Sequence, residues 1–201
     1  MQMNELLRPP SLPGTTRAAE GMLRRRFTVA EIESMVAKGI IPEDERIELV
    51  GGEVVPMSPK GVRHEILRTE LAFHLTKQAP SGVKVAAEAQ FNLTDDTYVV
   101  ADILVYPATI KVPYVRGPSA LLVVEIADSS LEYDLNAKAS IYATHGVREY
   151  WVINAKTLTT RIHRVPSASG YLDTPEQISD AQLTPQLAPE LAVRLSDLDL
   201  D

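Results

Sequence analysis

The chain has 201 residues, 45% of them hydrophobic, which is enough for one sizeable core and cramped for two. Its formal net charge of -7 argues against a broadly basic nucleic-acid coat, and the lack of cysteine excludes disulfides, thiolate zinc sites and cysteine nucleophiles. No apolar run approaches the roughly 18 residues of a membrane span, and "MQMNELLRPPSLPGTT" lacks the order of a signal peptide, so a soluble cytoplasmic protein without a membrane partner is expected.

In chain order, residues 1–26 read as an extended or disordered arm carrying Pro9, Pro10, Pro13 and Gly14, and 27–201 as a single domain. Arg24, Arg25 and Arg26 close the arm, either as a solvated charge run or as a phosphate contact. "TVAEIESMVAKG" predicts a helix with Thr28 and Glu31 as a capping box, Ile32, Met35 and Val36 on its apolar face, and Gly39 at its end. "RIELVGGEVVPMS" predicts two short strands joined at Gly51-Gly52, a pair that tolerates positive φ. The long helix "GVRHEILRTELAFHLTKQ" follows, with Val62, Ile66, Thr69, Phe73 and Lys77 on one side and Leu67, Leu71 and Leu75 widening the apolar stripe.

Three strand segments come next, "VKVAAEAQFNL", "TYVVADILVYP" and "ALLVVEIAD", and their short connections favour an antiparallel meander. "LEYDLNAKASIYATHG" reads as a helix ended by Gly146, and "REYWVINA" as a strand. A further strand, "TTRIHRVP", has a partner near Tyr171. The expected class is α/β, a mixed sheet flanked by helices in the order α-β-β-β-α-β, preceded by a helix and a hairpin.

Three charges sit where apolar residues belong. Strand alternation sends Val100, Asp102, Leu104 and Tyr106 to one face and Ala101, Ile103 and Val105 to the other, and in the next strand Glu125 shares a face with Leu121, Val123 and Ala127. Paired in a meander, Asp102 and Glu125 lie side by side, and two such carboxylates repel unless a proton or a cation is shared. On the following helix the stripe Leu131, Leu135, Lys138, Ile141 and Tyr142 turns an ammonium toward the sheet. Two carboxylates holding Mg²⁺ or Mn²⁺, with an ammonium to orient water or neutralise phosphate charge, make a metal-dependent hydrolytic site.

The segments "VVADILVYP", "LLVVEIADSS" and "DLNAKASIYATHGVREYWVINA", with "RIELVGGEVVPMSP" and His64 upstream, resemble the Uma-type restriction-endonuclease family, first catalogued as a domain of unknown function, in the PD-(D/E)XK nuclease superfamily. The resemblance spans about residues 27 to 165 and implies a restriction-endonuclease-like core. Two positions depart from the superfamily pattern: Ala101 stands where it has proline, and Ala127 where it has its lysine. In the resembling family that lysine has moved to the following helix, which implies Lys138 as its counterpart. Asp102 and Glu125 are then expected to bind metal and, with Lys138, to catalyse hydrolysis of DNA to 5'-phosphate and 3'-hydroxyl ends. Cutting both strands implies a homodimer.

Other side chains carry two readings each. Glu88 is a further metal contact or an edge-strand carboxylate, and Glu48, in the hairpin before the long helix, is similar in place to a glutamate that such nucleases often use from their N-terminal part. His64 touches phosphate or water, or is structural. Tyr142 packs or takes part in chemistry. Asp134 holds Lys138 by an ion pair or caps the helix, and Asp128, Ser129 and Ser130 are turn and cap residues. Two other functions compete with a DNA endonuclease: a nuclease fold retained for binding or regulation without turnover, and a metal-dependent hydrolase of small phosphate esters.

Overall fold

Thr28 opens the first helix, α1 (Val29–Ala37), by accepting the Glu31 backbone N–H while the Glu31 side chain accepts from the Thr28 N–H, the reciprocal box expected from the sequence. The computed structural model describes residues 25–200. The arm expected over 1–26, including Arg24, lies outside the described residues except for Arg25 and Arg26.

Strands β1 (Ile47–Val50) and β2 (Glu53–Pro56) form a hairpin whose turn places Gly51 at φ 57° and Gly52 at φ 80°, the left-handed region that a two-residue hairpin turn requires. Helix α2 (Val62–Gln78) buries His64, Leu67, Leu71 and Leu75. Val62 is 76% exposed and Phe73 65% exposed, so the side on which the sequence reading put them faces water. Helical spacing gives the reason: Phe73 stands two residues, about 200°, from both Leu71 and Leu75, and those leucines are held against Ile103, Val105, Val124 and Ile126.

Strands β3 (Val83–Thr94), β4 (Thr97–Pro107) and β5 (Leu122–Ala127) form the antiparallel meander. The segment Leu131–Tyr133 (α3), a π-helical turn Asp134–Lys138 and Ala139–Thr144 (α4) run on as one helical rod. It carries the chain to β6 (Glu149–Asn154), which pairs parallel with β5. Strands β7 (Thr160–Ser167), β8 (Gly170–Asp173) and β9 (Glu176–Gln177) complete a nine-stranded sheet of order β2-β1-β4-β5-β6-β7-β8, with β3 on β4 and β9 on β7. One face packs on α2 and the C-terminal segment, the other on α4, so the sheet is mixed, mostly antiparallel and covered on both sides.

Two features fix the frame around the sheet. Glu149, fully buried on β6, accepts from Trp151 Nε1 at 2.9 Å, from Arg164 at 2.7 Å and from the Gln186 backbone N–H at 2.6 Å, tying two strands to the C-terminal segment. At the loop before β5, Gly117 presses on the end of α4, where a Cβ would come within 1.9 Å of the His145 carbonyl oxygen.

Strand alternation breaks within β4. Ala101 packs in the same cluster as Leu104 and Tyr106, while Ile103 and Val105 pack in the opposite one. The two-face assignment made from the sequence therefore fails between residues 101 and 104. Between the Ala87–Ile103 and Ala89–Ala101 pairs of the β3–β4 register stands Glu88, at a left-handed φ of 50° inside a strand. Such a backbone is sparsely populated for a non-glycine residue and costs on the order of 1 kcal/mol or more.

Candidate active site

β4 offers one long edge to β3 and divides the other between two strands. β1 meets it at Tyr98 and β5 at residues 103–105, so the ladder opens between them. Carboxylates take the backbone donors left there: Glu48 Oε1 accepts the Val100 N–H at 3.0 Å, and Asp102 Oδ2 accepts the Ile126 N–H at 2.8 Å. Buried N–H groups must find acceptors, and here the opening supplies them from acidic side chains.

Around this opening lies a cavity of about 360 Å³ lined by Glu48, Lys60, His64, Asp102, Glu125, Asp134 and Lys138 among others. The structure thus brings together Asp102 of β4, Glu125 of β5, Lys138 of the π-helical turn, Glu48 of β1 and His64 of α2. Lys138 is 4% exposed, and its Nζ lies 3.0 Å from Glu48 Oε1 and 3.0 Å from Glu125 Oε1. The Tyr142 hydroxyl donates to the same Glu125 oxygen at 2.7 Å. Tyr142 both packs, against Phe91 and Tyr150, and holds a carboxylate.

Asp102 is gripped on both oxygens. Oδ2 meets His64 Nε2 at 2.9 Å besides the Ile126 N–H, and Oδ1 meets Lys60 Nζ at 2.7 Å. Lys60 also reaches Glu88 Oε1 at 2.8 Å, so Glu88 is linked to the cavity through that ammonium, with Arg46 at 3.2 Å and Arg68 at 3.7 Å around it. Lys60 is the residue that sequence reasoning missed. It stands in "MSPKG", a loop without periodicity, and only its place immediately before α2 marks it.

The electrostatics divide the acids. Burial works to raise the Asp102 pKa, but His64 and Lys60 outweigh it and hold the carboxyl well below the usual carboxylate range. Glu125 is pushed well above its ordinary value by burial, against the pull of Lys138 and with added repulsion from Asp102. Burial raises Asp134 to about 6, against Lys138 and a hydrogen bond from Ser130. Burial alone would lower the Lys138 pKa, but Glu125, Glu48 and Asp134 reverse that and fix it as a cation. Its ion pairs run to Glu48 and Glu125; Asp134, read from the sequence as either its ion-pair partner or a helix cap, receives the Ser130 hydroxyl.

The donor set suits a hard divalent cation: carboxylate oxygens facing one cavity, with the His64 imidazole there already on Asp102. Among the hydrogen bonds of the described residues, Glu48 and Glu125 use only Oε1, which leaves each an Oε2. No group of three or more His, Asp or Glu side chains among the described residues is drawn together as a finished metal cage. The fit is therefore that of two carboxylates with water completing the coordination shell.

A helix, an antiparallel meander, a crossover helix and a parallel strand, with acidic residues at the strand opening, define a restriction-endonuclease-like fold. The chain belongs to the Uma2 family, described as "Putative restriction endonuclease", whose model matches residues 29–196. It is similar in structure to a protein of Anabaena variabilis described as a putative nuclease belonging to DUF820, with a TM-score of 0.67 and 17% sequence identity, covering 85% of this chain and 96% of that one. None of the curated proteins matches the chain. No helix among the described residues is long and apolar enough to cross a membrane.

Proposed function

We propose that this protein is a Mg²⁺-dependent endonuclease, also served by Mn²⁺, that hydrolyses phosphodiester bonds in DNA within the cytoplasm. The observation that carries the reading is the buried arrangement of Glu125, Glu48 and Lys138 beside Asp102 in one cavity, on the fold of a nuclease family. Structural ion pairs seldom gather three nearly buried carboxylates and an ammonium at an open sheet edge, because each ion loses several kcal/mol of solvation there.

Asp102 Oδ1 and Glu125 Oε2 would hold the cation, with Glu48 Oε2 able to join through water. When bound, the cation supplies an electrophile that acidifies a water and takes up charge on the phosphate. His64 and the Ile126 N–H fix the Asp102 carboxylate by holding Oδ2. Tyr142 and Lys138 fix Glu125 through Oε1, so that its other oxygen has one orientation. The Lys138 ammonium meets negative charge that grows on the phosphate oxygens as the water oxygen bonds to phosphorus and the bond to the 3'-oxygen breaks. The proton that the attacking water gives up leaves to solvent water. Two such sites in a homodimer would cut both strands.

The test is conversion of supercoiled plasmid to nicked and linear forms with Mg²⁺ or Mn²⁺, beside hydrolysis of the small diester bis(p-nitrophenyl) phosphate. The proposal expects plasmid cleavage that EDTA and Asp102→Asn each reduce at least a hundredfold. Turnover of the small diester alone would move the reading to a hydrolase of small phosphate esters. Metal binding without turnover of either substrate would support a non-catalytic module.

A further inference from the structure

Asp102 has one oxygen through which a cation can enter, and a lysine holds it. Oδ2 already receives two donors, His64 Nε2 and the Ile126 N–H, while Oδ1 has a single hydrogen-bond partner among the described residues, Lys60 Nζ at 2.7 Å. The Lys60 side chain is 9% exposed, and its second partner, Glu88 Oε1, lies at 2.8 Å on a side chain that is 40% exposed. Glu88 has a left-handed φ and stands between the Ala87–Ile103 and Ala89–Ala101 pairs, so the irregular point of β3 is also where the ammonium is held. The loop is also set at a fixed height. Gly61, beside Lys60, lies so close to Asp128 that a Cβ would stand 2.5 Å from its Oδ2.

Resting on the metal reading above, we propose that Lys60 is a built-in stand-in for the divalent cation, and that metal enters by displacing its ammonium from Asp102 Oδ1. A divalent ion and an ammonium on one carboxylate oxygen repel each other, so occupancy by one expels the other. Glu88, Arg46 and Arg68 give the displaced ammonium a defined new setting: it stays on Glu88 at the edge of the cavity, in a group of three cations around one carboxylate. The exchange therefore couples metal entry to a gain of positive charge at the rim, and it leaves the carboxylates neutralised when no cation is present.

Two measurements test this. In the unaltered protein, acetylation of Lys60 by an amine-reactive ester is followed by mass spectrometry while Mn²⁺ is titrated, with Lys156, 58% exposed, as the internal reference. Lys60 labelling should rise severalfold with saturation while Lys156 is unchanged. In calorimetry, Lys60→Met should bind Mn²⁺ roughly tenfold or more tightly than wild type, since a charge-assisted hydrogen bond no longer has to break, and Lys60→Arg should not gain. Wild-type binding with unchanged Lys60 labelling, or a Lys60→Met that binds no more tightly, would overturn the exchange and leave the metal reading standing. No saturable binding in wild type or Lys60→Met would overturn both.

Discussion

Replacing Lys138 by methionine keeps the side-chain volume and removes the charge that Glu48 and Glu125 share. Both carboxylates are 3% exposed and the ammonium 4%, so water cannot take its place without opening the site. Breaking one partner from a buried ion pair costs about 3–5 kcal/mol. Glu125 can offset part of this by taking a proton, because burial already holds its pKa well above the ordinary value. A net loss of about 3 kcal/mol is expected near neutral pH. Its sign with pH follows: in the variant the folded Glu125 binds a proton that the unfolded chain, titrating near 4.3, does not, so stability falls as pH rises from there through the raised folded pKa. The deficit relative to wild type should be smaller near pH 5 than near neutral pH. Urea unfolding followed by the fluorescence of Trp151, the one tryptophan and fully buried, measures it directly. Adding Glu125→Gln to Lys138→Met should recover at least half of the loss. A single-variant loss below about 1 kcal/mol, or one equal at both pH values, would refute the claim that Lys138 neutralises a buried acidic pair.

Three other outcomes are expected. Asp134 binds protons more tightly folded, at about 6, than its ordinary 3.8. The stability it contributes when protonated is therefore lost as pH rises through that window, and Asp134→Asn should gain about 3 kcal/mol relative to wild type between about pH 4 and about pH 6.5, read by urea unfolding at each pH. Tyr142→Phe removes the 2.7 Å hydrogen bond to Glu125 and should lower stability by about 2 kcal/mol in the same assay, while circular dichroism stays unchanged. Gly117→Ala drives a Cβ to 1.9 Å from the His145 carbonyl and should cost about 3 kcal/mol or more, seen as a fall in the thermal midpoint; a neutral outcome would mean the loop does not press on α4 as described.

The part of the site legible in the sequence is the part that breaks a pattern. Asp102 and Glu125 interrupt apolar strands, and Lys138 interrupts an apolar helix stripe, so each is conspicuous against neighbours that must be buried. Glu48 and His64 were legible only as two-sided possibilities, because a short hairpin strand and the first turn of a helix tolerate charge in any case. Lys60 left no trace, since a loop of Met, Ser, Pro, Lys and Gly has no period to violate, and its role comes from folding 42 residues of sequence back onto Asp102. The order of elements was readable from caps, glycines and alternation. In β4 alternation failed beside Glu88, which takes a left-handed backbone on the neighbouring strand, a conformation that no side-chain pattern announces. The helix face of α2 was misplaced for a related reason: Val62 and Phe73 are apolar, yet the sheet selects the leucine row two residues away.

The central claim is that Asp102 and Glu125 hold a divalent cation. The most direct measurement is calorimetric titration of Mn²⁺ into the wild type, Asp102→Asn and Glu125→Gln under one set of conditions, with urea unfolding to establish that each variant is folded. The wild type should show saturable binding that each substitution abolishes. Saturable binding that survives both substitutions, or no binding by the folded wild type, would contradict it.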